Sequence, residues 1–267
     1  MAARTEARKF GSFSLTDTNG IAIESCRARL LHRASFEGRL KADGAIVTKD
    51  RLEGVEVALA GTISGTSDTG QIRDRIDALL QAITNGDDHL QLYSDRRILC
   101  RLLGDVDLAL VSGSAGLVYR FGAQFRSRWP TWENPTQSSI AFTPTGAGPH
   151  TLVLGSNAAT APTFPRITIG NAGAGFSDKQ ITLTLINTGQ QLQLTGLGMG
   201  GGDQIVLDLR EGALGDGLSA PITPYSIEGI WWGLVPGVSN TLEMAHNVGA
   251  GASWNVSVTW HEQYWSL

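Results

Sequence analysis

The feature that most limits the fold of this chain is a repeat of apolar residues at every second position through its second half. Each run is short and ends near Gly, Asn or Asp, and a new run begins after about 8 to 12 residues. The runs are residues 167–169, 181–185, 192–194, 205–209, 230–235 and 254–260. Because side chains alternate between the two faces of a strand, this period predicts strands with one buried and one wet face. We expect the second half to be a β-sandwich without a helix.

One segment of the first half has a helical period instead. Its apolar residues lie on one face of a helix with about 3.6 residues per turn. They are Ile72, Ile76, Leu79, Leu80 and Ile83. Ser67, Asp68 or Thr69 can cap the start of this helix, and Asn85 followed by Gly86 can close it. We predict one amphipathic α-helix over about residues 71–84.

Strands are predicted on both sides of this helix. They are residues 45–47, 54–64, 90–93, 98–102 and 117–125. A turn at residues 94–97 joins two of them into a hairpin. The first half is therefore expected to be a β-sandwich-like domain that contains one helix.

Prolines mark a boundary between the two halves. Six of the nine prolines lie between residues 130 and 165, in a stretch rich in Thr, Ser, Ala and Gly. Residues 1–130 hold 18 of the 21 Lys and Arg and 16 of the 25 Asp and Glu, so the net charge is +2 before residue 131 and −6 after it. We predict a mainly β protein with an N-terminal domain at 1–130, a connection at 131–165 and a C-terminal domain at 166–267.

The composition excludes several classes of protein. No apolar run approaches the roughly 18 residues that a spanning helix needs, and no apolar block follows the basic N-terminus. We therefore expect synthesis in the cytoplasm and no membrane insertion. The arginines form no sustained stripe interleaved with aromatic residues, so sequence-specific nucleic-acid binding is not expected. Cys26 and Cys100 are expected to be buried free thiols.

Two segments look like catalytic or cofactor motifs but lack the context that the chemistry needs. Residues 196–201 have the Gly-x-Gly-x-x-Gly spacing of a dinucleotide site, yet the sequence after them alternates as a strand and offers no helix to receive a pyrophosphate. We predict a hairpin loop there. Residues 112–114, Ser-Gly-Ser, lie between strands, without the strand-to-helix turn of a nucleophile elbow.

The histidines and acidic residues suggest no metal centre. No two of the five histidines are spaced to place both imidazoles on one ion. Asp105 and Asp107 form only part of a calcium-ligand series and are expected to be solvated. We name no catalytic, cofactor-binding or metal-binding residue, and we expect no cofactor and no enzymatic activity.

Adjacent tryptophans at 231 and 232 are harder to bury. If both lie in a strand they point to opposite faces, so one indole needs a partner beyond the core that holds the other. That partner can be another domain, another subunit or a sugar. We name Trp231, Trp232, Trp129 and Trp132 as candidate interface or sugar-stacking residues.

The order of these features resembles the distal tail protein family of long-tailed bacteriophages (siphoviruses). Residues 43–48 and 55–65 and the lone helix are similar to the strand, strand and helix of its first domain. Residues 129–135, Trp-Pro-Thr-Trp-Glu-Asn-Pro, resemble the exit from that domain. Residues 155–169 resemble the entry into a galectin-like sandwich, and residues 234–240 resemble its late Leu-x-Pro-Gly-x-Asn turn, here with one additional residue.

The resemblance implies a structural virion protein at the distal end of the tail, within the tail tip or baseplate. Such a protein forms a homohexameric ring that joins the tail tube to the tail-tip hub and lets DNA pass. Its N-terminal domains line the channel, and its galectin-like domains lie outside. Its partners would be the tail tube protein, the hub and tape measure proteins and receptor-binding proteins. Two alternatives stay open, namely a carbohydrate-binding module for host adsorption and a tail tube subunit.

Overall fold

The chain folds into two compact units. The computed structural model describes residues 6–38, 45–65, 68–115, 117–216, 226–249 and 252–265. The first unit comprises Met1–Pro135 with Trp265–Leu267, and the second comprises Thr136–Tyr264. Both are built almost entirely from antiparallel strands, so the prediction of a mainly β protein is confirmed.

The first unit contains nine strands and one α-helix among its described residues. In chain order they are β1 (Glu6–Phe10), β2 (Phe13–Ser14), β3 (Ile21–Gly38), β4 (Ala45–Ser64), α1 (Thr69–Thr84), β5 (Asp88–Tyr93), β6 (Arg96–Leu102), β7 (Asp107–Leu110), β8 (Val118–Ser127) and β9 (Trp132–Glu133). A short 3-10 helix, Asp17–Asn19, lies between β2 and β3.

The strands of the first unit form a sheet in the order β2-β1-β5-β6-β8-β4-β3. β7 also pairs with β8, and β9 pairs with β6. One face of the sheet is apolar because Val55, Val57 and Leu59 on β4 alternate inward, as do Phe121 and Phe125 on β8. This face carries the core of the unit.

Helix α1 lies where the sequence period predicts it, two residues longer at its start. Asp68 caps the helix by accepting a 2.7 Å hydrogen bond from the Gln71 amide, while Ser67 lies outside the described residues. The helix ends at Thr84, before Asn85 and the positive-φ Gly86. Its apolar stripe is buried through Ile72, Leu79 and Ile83. The predicted helix is thus confirmed.

Eleven strands belong to the second unit. They are β10 (Ser138–Phe142), β11 (His150–Ser156), β12 (Arg166–Asn171), β13 (Phe176–Leu185), β14 (Gln190–Met199), β15 (Gln204–Asp208), β16 (Ala213–Asp216), β17 (Ser226–Gly229), β18 (Ser239–His246), β19 (Trp254–Trp260) and β20 (Gln263–Tyr264).

The second unit is a sandwich of two five-stranded antiparallel sheets. One sheet has the order β10-β19-β12-β15-β16, and the other has the order β11-β18-β13-β14-β17. Alternate residues of both sheets enter a single core, which includes Ile167 and Val258 from the first sheet and Leu183 and Leu242 from the second. The period-two runs therefore define the inner faces of the sandwich.

The division into residues 1–130, 131–165 and 166–267 stays a prediction, but its middle segment is rich in strands. β10 pairs with β19 and β11 pairs with β18, so both are part of the sandwich. Pro144 and Pro149 lie between these strands and Pro162 and Pro165 follow them, where no ladder amide is needed. The prolines therefore punctuate strands as well as marking a boundary.

The strand predicted at residues 230–235 is wrong. β17 ends at Gly229, and beyond it only Leu234 forms an isolated bridge, to Thr163. Alternation alone misled the prediction, because Trp232 and Leu234 point into the core from an irregular segment. A short run of alternating apolar residues therefore does not have to pair with another strand.

Candidate assembly interface

The four candidate tryptophans divide into two buried and two half-buried residues. Trp132 and Trp232 each have only 1% of their surface exposed, so neither indole presents a face to a partner. Trp129 is half-buried, and the Arg128 guanidinium lies 5.2 Å from the centre of its ring. Trp231 is half-buried against the sandwich core. An interface or sugar-stacking role for Trp129 and Trp231 stays a prediction.

Among the described strands of the first unit, β3 and β7 lie at edges of the sheet, as does the two-residue β2. β3 pairs with β4 on one side, and no described strand pairs with its other side. β7 pairs with β8, and its outer side is likewise unpaired within the described chain. Free edges leave backbone N–H and C=O groups available to another strand. These two edges, β3 and β7, are called the free edges below.

Apolar side chains line both free edges on the core side of the sheet. Leu108 and Leu110 on β7 pair with Phe121 and Tyr119 and are 38% and 55% exposed. Leu30 on β3 pairs with Val55 and is 43% exposed. Directly opposed residues in a ladder point to the same face, so all three leucines continue the core face outward. The core does not cover the two edges, and exposed apolar residues of this kind are typical of a surface that contacts another protein.

The opposite face of this sheet carries arginines among small side chains. The row of Arg101, Arg126, Glu56 and Arg29 crosses β6, β8, β4 and β3 as successive ladder partners. Arg120 and Arg27 lie on the same face one or more rows along it. Each of these five arginines is exposed. We call the surface that carries these five arginines the arginine face.

Two segments singled out by the family resemblance have structural roles. Glu133 is buried, and one carboxylate oxygen lies 2.8 Å from Arg97 Nε and 3.0 Å from His89 Nε2. In the sandwich, the buried Asn240 side chain accepts a hydrogen bond from the Val235 amide and donates to the carbonyls of Val235 and Val238. The late turn therefore needs its asparagine to satisfy three backbone groups.

The glycine tract is part of a hairpin, as the sequence predicts. Residues 196–199 complete β14, and the turn that follows is closed by a 2.6 Å hydrogen bond from the Gly200 amide to Asp203. β15 begins at Gln204, and no helix follows the tract. The buried Asn171 side chain donates to the Gly200 carbonyl and ties the loop to β12. This geometry has no place for a pyrophosphate.

The cysteines and acidic residues are arranged for packing rather than chemistry. Burial raises the pKa of the Cys100 thiol to about 12, and it raises the pKa of the half-buried Cys26 thiol to about 11 against the opposing charge of Arg8. Both cysteines are free. No described group of three or more His, Cys, Asp or Glu is close enough to hold a metal ion, and no described helix is long and apolar enough to cross a membrane.

A histidine pair in the second unit escaped the sequence analysis. The rings of His150 and His246 stack with their centres 5.6 Å apart, and His246 lies 5.2 Å from the ring of Trp254. Burial lowers the pKa of His246, the charge of His150 adds to the effect, and the nearby Val248 backbone opposes it. The two residues meet because β11 pairs with β18, which spacing along the chain does not reveal.

A solved structure has this arrangement over nearly the whole chain. The SPP1 Dit (gp 19.1) protein, a paradigm of the hub adsorption apparatus in phages that infect Gram-positive bacteria, superposes with a TM-score of 0.66 over 97% of this chain and 99% of its own, at 16% identity. The chain has the Dit fold. The phage P2 baseplate in its activated conformation matches with a TM-score of 0.45 over 86% of each chain, at 7% identity.

The Dit fold confirms the resemblance to distal tail proteins at the level of architecture. No protein-family model matches the chain, and no curated protein matches its sequence. At 16% identity most side chains differ between the two chains, although the fold is shared over 97% of this chain.

Proposed function

We propose that this chain is a structural, non-enzymatic distal tail protein of a long-tailed phage. It forms a hexameric ring that joins the tail tube to the tail-tip hub and lets DNA pass. The observation that carries this proposal is the pair of free edges, β3 and β7, each with exposed leucines on the core side of one sheet. The likeness of the whole chain to SPP1 Dit supports it.

The two free edges are complementary in direction. β3, β4, β8 and β7 are successively antiparallel, so β7 of the next copy can follow β3 as a further antiparallel strand. Such a contact joins different surfaces of two copies, and repeating it generates a closed ring when the rotation closes. In the register that we propose, Leu30 of one copy lies near Leu108 and Leu110 of the next. Both the backbone groups and the leucines would be covered.

The remaining assignments follow from this ring. The first unit is the ring-forming domain, and its sheet lines the channel. The second unit is the galectin-like sandwich outside the ring, built from two five-stranded sheets. Its partners are the tail tube protein, the hub and tape measure proteins and receptor-binding proteins. The protein is located at the distal end of the virion tail.

The mass of the purified protein in solution tests the ring. Light scattering coupled to size-exclusion chromatography should give six times the 28.4 kDa mass of the chain, and negative-stain images should show rings with a central hole. A monodisperse monomer, with no ring in the presence of the tube protein, would contradict the proposal. Open tubes of indefinite length would indicate the tube-subunit alternative instead.

A pair of matched variants locates the ring contact. Leu108→Lys with Leu110→Lys places two charges on the β7 edge and should reduce the oligomer to monomer while far-UV circular dichroism stays unchanged. Val153→Lys with Ile186→Lys changes two similarly exposed apolar residues of the sandwich and should leave the oligomer intact. If both pairs of substitutions reduce the oligomer to the same extent, the free edges are not the site of assembly.

The carbohydrate-binding alternative depends on Trp231. This half-buried indole lies against Gly212, where an added side chain would come within 3.9 Å of its ring. A glycan array that shows binding lost on Trp231→Ala would favour host-surface recognition by the second unit. Absence of binding to the array would leave the structural role alone.

A further inference from the structure

We propose that the arginine face contacts the phosphate backbone of DNA without sequence preference. This inference rests on the proposed ring, in which this face lines the channel. Helix α1 contributes its buried Ile72, Leu79 and Ile83 to the core, which lies on the opposite face of the sheet. The arginine face is on the other side of the sheet, where its arginines are exposed.

The charge of the arginine face is positive even though the protein as a whole is acidic. Arg27, Arg29, Arg101, Arg120 and Arg126 lie on it, against Glu56 and Asp107. Asp87 pairs with Arg101, and Asp105 lines a cleft beside Asp107, so five arginines face four carboxylates. Arg101 is the direct ladder partner of Arg126, an opposition of like charges that Asp87 offsets at Arg101 and that a bridging anion would offset at both guanidinium groups.

Most of these arginines are available to a ligand. Arg27, Arg29, Arg120 and Arg126 make no hydrogen bond or ion pair with any residue in the described part of the chain. Arg101 pairs with Asp87 at 2.8 Å, and both of these side chains are exposed. A cleft of about 480 Å³ opens beside this pair, and Arg126 and Arg128 also line it. The guanidinium groups therefore surround a space that an anionic oxygen can enter.

The side chains between the arginines favour nucleic acid over protein as the partner. Ala58, Ala60, Gly122 and Ala109 fill the positions between the charges, and the rows from Arg126 to Arg120 include no aromatic residue. Protein interfaces need several buried aromatic or aliphatic anchors, whereas Leu103 is the one exposed large apolar residue among the described residues of this surface. A flat surface with projecting guanidinium groups matches phosphate oxygens and offers nothing that reads a base.

The dimensions suit a passing duplex. Three strand intervals separate Arg101 from Arg29, about 14 Å across the sheet, and six residues separate Arg120 from Arg126, about 20 Å along β8. Several phosphates of one DNA strand fit against such a patch. Contacts of this kind are strongly weakened by salt, so they guide DNA without holding it.

Salt-dependent DNA binding by the full-length protein tests the proposal. Fluorescence anisotropy of a short duplex, and of a second duplex of scrambled sequence, is measured between 50 and 200 mM NaCl. We expect equal affinities for the two duplexes and a fall in affinity with salt. Arg120→Gln with Arg126→Gln should make the slope of log K against log salt shallower by about 1.8, at roughly 0.9 for each of two lost phosphate contacts.

The matched control is Arg73→Gln with Arg166→Gln, two exposed arginines outside the arginine face, which should keep the wild-type slope. The proposal fails if the wild type does not bind at 50 mM NaCl, if the Arg120 and Arg126 pair keeps the wild-type slope, or if polyglutamate competes as well as DNA at equal charge. Negative-stain imaging of the same variants separates this failure from failure of the ring, because rings should persist in both.

Discussion

The two units differ in where a single copy leaves apolar residues exposed, because Val153 and Ile186 alternate with core residues of the sandwich whereas Leu30 and Leu110 border the core of the first unit. In the second unit the two sheets cover each other, and Ile181, Leu183 and Val258 are entirely inaccessible. In the first unit the core is complete under α1 but stops at the edge strands, where Leu30 and Leu110 remain about half exposed. A closed sandwich is stable by itself, whereas a sheet with apolar free edges gains stability from a second copy. In the proposed ring, the second unit supplies a stable core and the first unit supplies the contacts of assembly.

The largest effect is expected in the sandwich core. Trp232→Ala should lower the free energy of unfolding of the second unit by about 3–5 kcal/mol, because it removes a large side chain that is 1% exposed and leaves a cavity. Guanidinium unfolding followed by circular dichroism measures the change. Trp231→Ala is the control and should cost less than half as much, since that indole is half-buried. Equal losses would contradict the contrast between the two tryptophans.

A backbone substitution probes the first unit in the same way. Gly54→Ala should cost about 3 kcal/mol, because Gly54 has φ +135° and an added Cβ would collide with the Ser127 carbonyl of β8. Because β3 is held in the sheet by its pairing with β4, the variant should also lose the oligomer, and light scattering would measure this loss. Gly86→Ala is strained by φ +105° but has open space around the new Cβ, so it should cost about 1–2 kcal/mol. If the Gly54→Ala variant assembles normally, a displacement of β4 and its neighbour β3 does not prevent contact at the free edges.

The buried asparagine of the late turn should give a smaller effect, confined to the second unit. Asn240→Ala removes three hydrogen bonds to the backbone, so the expected loss is about 2–3 kcal/mol. Asn187→Ala removes two hydrogen bonds of similar length from an exposed asparagine and should cost less than about 1 kcal/mol. Urea unfolding of both variants provides the comparison. If the Asn240→Ala variant loses the ring, assembly depends on the stability of the sandwich and the two properties are not separate.

Much of the sandwich could be predicted from the sequence because each of its strands has a buried face. Residues such as Val256 and Val258 alternate with polar ones, and the helix repeats its apolar residues at Ile72, Leu79 and Ile83. β3 was not predicted, because Cys26, Ala28 and Leu30 alternate with Arg27 and Arg29 only after Glu24 and Ser25 interrupt the period. Most residues from Ala22 to Leu30 are also exposed on both faces of the strand, so its sequence has no strongly apolar face.

The arginine face was invisible in the sequence for a different reason. Its members lie on β3, β6 and β8, and only the register between strands brings Arg29, Arg101 and Arg126 into one row. No basic stripe runs along the chain, so the arginines are not adjacent in the sequence. A sheet surface collects one or two residues from each strand, so its charge is a property of pairing.

The histidine pair should make the stability of the second unit depend on pH. The pKa of His246 lies below its ordinary value of 6.5, so the folded second unit binds this proton less readily than the unfolded chain does. This contribution to stability is present above pH 6.5 and is lost as the pH falls through the lower folded pKa, where protonation favours unfolding. The melting temperature of the second unit should therefore fall between pH 7.5 and pH 5. His246→Gln should flatten that dependence, while His261→Gln, outside the stacked pair, should keep it. A profile unchanged by His246→Gln would assign the acid sensitivity of the second unit to other groups.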